Sequence, residues 1–132
     1  YDGAEHPSQR SAGKQRLFDG LRRSGITLRL KEIDFKSPNA SQKGVDIYLT
    51  TDMISLAYED AYDVAVLLSG DGDYVALVEL VKSKGKRVIV LSFQACIAKS
   101  LRDCADEVLY IEQYPEFARK HPEGMARKKE SL

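Results

Sequence analysis

The sequence has no net charge: 20 lysines and arginines balance 20 aspartates and glutamates. The chain as a whole is therefore no electrostatic magnet for nucleic acid or membranes, and any basic patch must be local. It lacks an apolar run of roughly 18 residues, so no membrane-spanning helix is expected. The start, Tyr-Asp-Gly-Ala-Glu-His-Pro, lacks the pattern of a signal peptide. Cysteine is scarce. Cys96 and Cys104 lie eight apart without metal-ligand spacing, and are expected to be free thiols in a cytoplasmic protein. The two histidines, His6 and His121, stand near opposite ends without Cys or His neighbours, which argues against zinc and against histidine catalysis. No internal repeat is present.

What remains is an ordinary soluble composition, 43% hydrophobic and 30% charged over 132 residues, enough for one domain with a real core. Apolar segments alternate between strand and helix character. A strand end at Tyr1–Gly3 precedes a helix over Lys14–Ser24, with Leu17, Phe18, Leu21 and Gln15 on helical spacing and Gly25 as its C′ residue. Ile26–Ile33 alternates as a half-exposed strand. Asp34–Lys43 is a loop, and Val45–Tyr58 is a helix apolar nearly all round, hence expected to be buried. Then come the strand Val64–Leu68, a helix from about Asp73 to Lys84, the strand Lys86–Ser92, a helix over Ala98–Cys104 and the strand Glu107–Ile111. This alternation predicts an α/β domain over residues 1–112 with a mainly parallel sheet, followed by a polar, basic tail over 113–132.

The most informative stretch is Val64-Ala-Val-Leu-Leu-Ser-Gly-Asp-Gly-Asp-Tyr74. A continuous apolar run bounded by turn residues reads as a strand buried on both faces. The turn then sets Asp71 and Asp73 at the strand's C-terminal end, the edge where open α/β sheets bind ligands. Two roles are open: Asp73 as N-cap with Asp71 as a turn former, or both as ligands of a hard cation such as Mg²⁺. Two more acids stand on the apolar helix. Asp46 lies at its start, as a cap or a ligand. Asp52 follows six residues later, about 240° around and roughly 9 Å along the axis, so the two do not share a face.

Together, Lys43-Gly-Val-Asp46, Thr51-Asp52, Leu68-Ser-Gly-Asp-Gly-Asp-Tyr74, Gly85-Lys-Arg-Val, Ser100-Leu101 and Ala105-Asp106 resemble the NYN domains, in particular their LabA-like branch, over about Tyr1–Ile111. NYN domains are similar to PIN and FLAP nuclease domains. The resemblance implies a Rossmann-like, PIN-like three-layer α/β/α fold, an acidic cluster at the strand C-termini, Mg²⁺ or Mn²⁺, and hydrolysis of RNA. By position, Asp46, Asp71 and Asp73 match the family's catalytic and metal-binding acids, and Asp52 resembles the acid that leads an aliphatic helix in PIN domains. Lys43 and Ser69 are the candidates for phosphate contact. The departure is at the start: family members open with an apolar central strand ending in aspartate, and no such strand precedes Tyr1, so an incomplete metal site and a gap in the sheet are expected.

If the site is complete, the expected reaction is metal-assisted cleavage of single-stranded RNA in the cytoplasm, with no membrane partner. Arg10, Lys14, Lys43, Lys99 and the tail residues Arg127, Lys128 and Lys129 are the local basic candidates, with Tyr74 near the site or packed beneath the turn. Tyr58, Tyr62 and Phe117 suit either a homodimer interface or core packing. The alternative is a non-catalytic regulatory domain binding RNA or protein. A sugar-nucleotide glycosyltransferase using Asp71 and Asp73 would require a longer chain.

Overall fold

The computed structural model describes residues 1–33 and 44–118, in two compact units that divide after Asp52. In the first unit, strand β1 (Asp2–Ala4) leads through helix α1 (Ala12–Arg23) to strand β2 (Leu30–Glu32), and helix α2 (Val45–Tyr58) begins there. β1 and β2 are parallel, pairing Asp2 with Leu30 and Ala4 with Glu32. Ser11 caps α1 by accepting the Lys14 N–H at 3.2 Å, and Arg22 and Arg23 sit at its negative end. Phe18 is buried while Leu17 is exposed. Adjacent helical residues diverge by about 100°, so only one of this pair can face the core.

The second unit holds the rest of α2, then strand β3 (Val64–Leu68), helix α3 (Val75–Ser83), strand β4 (Arg87–Ser92), helix α4 (Lys99–Cys104), strand β5 (Glu107–Tyr110) and the short helix α5 (Pro115–Ala118). The strands are parallel in the order β3-β4-β5. Because the order advances in one direction, right-handed crossovers bring α3 and α4 to the same face. The core lies there: Ala65 and Leu67 line up with Val88 and Val90, against Leu77, Val78, Val81 and Leu101. The expectation that β3 is buried on both faces is therefore corrected. Val64, Val66 and Leu68 point the other way and are 48%, 60% and 66% exposed. Helix α2 is likewise not buried all round: Ile47, Tyr48, Leu56 and Tyr58 are exposed and only Ala57 is fully covered. Hydrophobicity around a helix measures what it can bury, not how many neighbours reach it.

Three helices end in the same way, which explains where the following segments begin. After α1, Gly25 N–H bonds Arg22 C=O and Ile26 N–H bonds Leu21 C=O. After α3, Gly85 and Lys86 repeat the pattern onto Lys82 and Val81, and after α2, Asp60 and Ala61 repeat it onto Ala57 and Leu56. These paired bonds satisfy the last carbonyls of each helix and require a left-handed residue at C′. Gly25 has φ 84° and Gly85 φ 78°, while Asp60 adopts φ 56° despite its side chain. Ile26 is thus consumed by a cap, and the strand expected over Ile26–Ile33 shortens to Leu30–Glu32. The strand expected from Lys86 starts at Arg87 for the same reason.

Asp60 is held there by an ion pair. The Lys86 residue is only 8% exposed; its ammonium bonds the Asp60 carboxylate and stands 3.9 Å from that of Asp63. At the other side of β4, the Asp106 carboxylate accepts the Val88 N–H at 2.7 Å and lies 3.5 Å from the Lys82 ammonium. The Asp60 carboxyl is lowered from its ordinary 3.8 by the Lys86 hydrogen bond, and Asp106 is lowered chiefly by the Val88 N–H. Lys86 is raised from 10.5, chiefly by its hydrogen bond to Asp60. Among the described residues, no helix is long and apolar enough to cross a membrane.

Replacing Asp60 is expected to lower the urea midpoint, and Asp60→Ala more than Asp60→Gly, because glycine recovers the left-handed backbone while both lose the partner of Lys86. Groups with lowered carboxyl values contribute stability that is full above the ordinary value and lost as the pH falls through the folded one. Urea melts are therefore expected to weaken below 3.8, with a shallower acid limb in Asp60→Asn.

Candidate metal centre

Past Leu68 the chain makes a tight acidic turn at the C-terminal end of β3. Ser69 Oγ accepts the Asp71 N–H at 3.1 Å, and Asp71 Oδ1 accepts the Asp73 N–H at 2.9 Å. Residues Gly72–Tyr74 form one 3₁₀ turn, with Asp71 as its N-cap, and this runs directly into α3. The capping role expected of Asp73 thus belongs to Asp71, because the helical path begins one tight turn before α3. Both aspartates are exposed. They project at the positive end of α3, which offsets part of their mutual repulsion.

The two glycines are required by space, not by left-handed backbone. A Cβ on Gly70 would lie 2.2 Å from the Cys96 carbonyl oxygen and 2.9 Å from Ser92 Oγ. A Cβ on Gly72 would meet Ala98 Cβ and Ser100 Oγ, each at 3.2 Å. Ala98 N–H donates to Gly70 C=O at 2.9 Å. The loop between β4 and α4 therefore clamps the acidic turn. It is itself pinned where Gln94 N–H bonds Glu112 at 3.0 Å. The sequence reading gave Ser92, Cys96 and Ala98 no part in the site, and Ser100 entered it only through the family pattern. Their signal is modest: small residues clustered between a strand and a helix.

The remaining candidates belong to the first unit. Asp46 lies in the first turn of α2, exposed, with Oδ1 accepting the Gly44 N–H at 3.0 Å. Gly44 has φ 95°, and the Lys31 ammonium lies against it. Asp52 is placed differently. Its carboxylate takes both Arg29 Nε at 3.0 Å and Nη2 at 3.2 Å, and accepts the Tyr1 hydroxyl at 2.9 Å. The Arg29 guanidinium also stacks 5.5 Å from the Tyr48 ring centroid. Burial and then the bond to Asp52 push the Tyr1 hydroxyl up to about 12. Tyr1 and Arg29 immediately precede β1 and β2, so Asp52 sits at the N-terminal ends of these strands, away from their C-terminal edge.

Of the sequence candidates, the structure gathers Ser69, Asp71 and Asp73 into one turn; Lys43 lies outside the described residues, as do Arg127, Lys128 and Lys129. Among the described residues, no three His, Cys, Asp or Glu side chains form a metal-binding group. The turn's own donors fit a hard divalent cation. The cap bond uses Asp71 Oδ1, and a Mg²⁺-like ion needs only one or two carboxylates beside water and phosphate oxygens.

The basic candidates are engaged. Arg10 donates to Glu5 C=O at 2.7 Å and lies over Phe18, Lys14 pairs with Glu5 at 2.9 Å, and Lys99 pairs with Asp103 at 3.5 Å. Tyr62 donates to Met53 C=O at 2.7 Å, which makes it a packing residue. Cys96 and Cys104 are free thiols.

Gly70→Ala is expected to cost about 1–3 kcal/mol in urea denaturation, through collision with the Cys96 backbone. Gly72→Ala should cost less, because its neighbours are side-chain atoms.

The sequence model of the NYN domain family matches residues 2–112. The chain is 30% identical over 127 residues to "Low amplitude and bright protein LabA" of Synechococcus elongatus, covering 91% of this chain and 64% of that protein. It is 33% identical over 108 residues to "Uncharacterized protein y4oD" of Sinorhizobium fredii, covering 76% and 49%. Among solved structures, a protein of unknown function from Vibrio parahaemolyticus, VPA0982, superposes with a TM-score of 0.68 at 27% identity, over 83% of this chain and 65% of that one. The chain thus spans about two thirds or less of the length of these relatives.

Proposed function

The chain belongs to the NYN domain family, and on that premise we propose that it is a metal-dependent ribonuclease domain that hydrolyses RNA phosphodiester bonds at an acidic cluster. The observation that carries this reading is the exposed Asp71–Asp73 pair, held on a clamped turn at the C-terminal end of a parallel strand. Asp71 and Asp73 would hold Mg²⁺ or Mn²⁺, and Asp46 matches a further catalytic acid of the family pattern. When bound, the ion supplies activation of water and stabilisation of the leaving oxygen.

The chain's own groups do the positioning. Ser69 Oγ already accepts the Asp71 N–H, so its hydroxyl proton is the group it offers to a substrate phosphate oxygen. Lys43 is the second phosphate contact in this reading. Asp52 holds Arg29 and Tyr1 instead, which makes it an anchor for α2 and the weakest ligand candidate of the four acids. The substrate is RNA with an accessible single strand.

A second reading, a non-catalytic regulatory domain that binds RNA or protein, is favoured by the exposed apolar row Val64, Val66 and Leu68. Cleavage of labelled single-stranded RNA in Mn²⁺ separates the two. The assay takes the full chain of the protein. Asp71→Asn keeps an oxygen to cap the turn and removes the charge. It is expected to lower cleavage on the order of a hundredfold. Equal cutting by both proteins would exclude Asp71 as an essential ligand, and no cutting by either would favour the second reading.

A further inference from the structure

The first unit carries a concavity at the C-terminal edge of its own strands. It is an open cleft of about 360 Å³, lined by His6, Gln9, Glu32 and Ile33. Glu32 is the last residue of β2, paired with Ala4 of β1, and Ile33 N–H continues the ladder to Ala4 C=O at 2.9 Å. Ile33 is 7% exposed and forms the apolar floor. His6 and Gln9 are set above it by a single 3₁₀ turn, Pro7–Gln9, which His6 caps.

The capping bond decides what the imidazole offers. His6 Nδ1 accepts the Ser8 N–H at 3.4 Å and lies 2.8 Å from Ser8 Oγ. In the neutral ring the proton then resides on Nε2, the nitrogen that lies 4.0 Å from Glu32 Oε1. The rim therefore presents an N–H donor followed by a carboxylate with two acceptor oxygens. A base read on its Watson–Crick edge must show the inverse order: an acceptor, then two adjacent donors. Guanine does so, with O6, N1–H and the N2 amino group. Adenine and cytosine turn a ring-nitrogen lone pair toward the carboxylate, and uracil flanks its one N–H with carbonyl oxygens. The Gln9 amide, both donor and acceptor, suits a further edge atom, and Ile33 suits the face of the ring.

We propose that His6, Gln9, Glu32 and Ile33 form a guanine-binding subsite, with Glu32 accepting from N1–H and N2–H and His6 Nε2–H donating to O6. The proposal rests on the ribonuclease reading for its ligand, a guanosine of single-stranded RNA, and free guanine nucleotide shares the same chemistry.

Calorimetric titration of the full chain, without divalent metal, with GMP, AMP, CMP and UMP tests it. GMP is expected to bind about tenfold or more tightly than the other three, the scale of hydrogen bonds to a charged group. Glu32→Gln, at an exposed side chain, is expected to fold normally and lose that preference. Four equal affinities, no binding of any nucleotide, or a GMP preference that survives Glu32→Gln would overturn the proposal. The pentanucleotides A-A-G-A-A and A-A-A-A-A distinguish the sources. Preference for the first upholds the site for RNA, and a preference confined to GMP upholds it for free nucleotide. The titration requires neither a divalent metal nor cleavage. Failure of cleavage and failure of guanine binding are therefore separate results.

Discussion

One backbone contact sets the candidate site. Gly70 approaches the Cys96 carbonyl so closely that no side chain fits between them, and Ala98 N–H closes the contact by bonding Gly70 C=O at 2.9 Å. Without it, the Ser-Gly-Asp-Gly-Asp turn would be a surface loop at a strand end. With it, the turn is fixed to the β4–α4 loop, and through Gln94 and Glu112 to the segment after β5. Two like charges on an exposed turn do not hold a geometry by themselves. A rigid, sterically closed backbone beneath them does.

The opposite ends of the same strands are built for stability. Lys86 ties the left-handed Asp60 and nearby Asp63 at the entry to β3 and β4, where both strands begin just after helix caps. In the first unit Asp52 plays a comparable part, gathering Arg29 and Tyr1 at the entry to β2 and β1. Carboxylates at the N-terminal ends are paired with cations. Those at the C-terminal end of β3 are exposed, and Asp71 accepts a hydrogen bond from its own turn. That asymmetry is what a parallel sheet offers a ligand-binding protein: one edge to close, one edge to use.

Much of this was legible in the chain. Val45–Tyr58 and Val64–Leu68 emerge with the bounds that the sequence predicted, and Gly25 closes its helix as expected. Local chemistry sufficed there, because turn residues and apolar spacing act over a few positions. The errors arose where a second element had to be known. Leu17 competes with Phe18 for one core, β3 buries Leu67 but not Val66, and the cap at Gly25–Ile26 shortens the next strand. In the acidic turn, capping by Asp71 instead of Asp73 hangs on a 3₁₀ turn that spacing does not reveal.

The sequence by itself determined the order of elements, the parallel α/β class and the presence of an acidic turn after an apolar strand, since each follows from neighbours in the chain. Tertiary structure alone decided that Asp52 belongs to Arg29 and Tyr1, that Gly70 is a point of backbone contact, and that His6 meets Glu32 at an open cleft. These pairings join residues separated by 23 to 51 positions in the cases of Arg29 and Tyr1. Only the fold fixes which distant charges and atoms share one place.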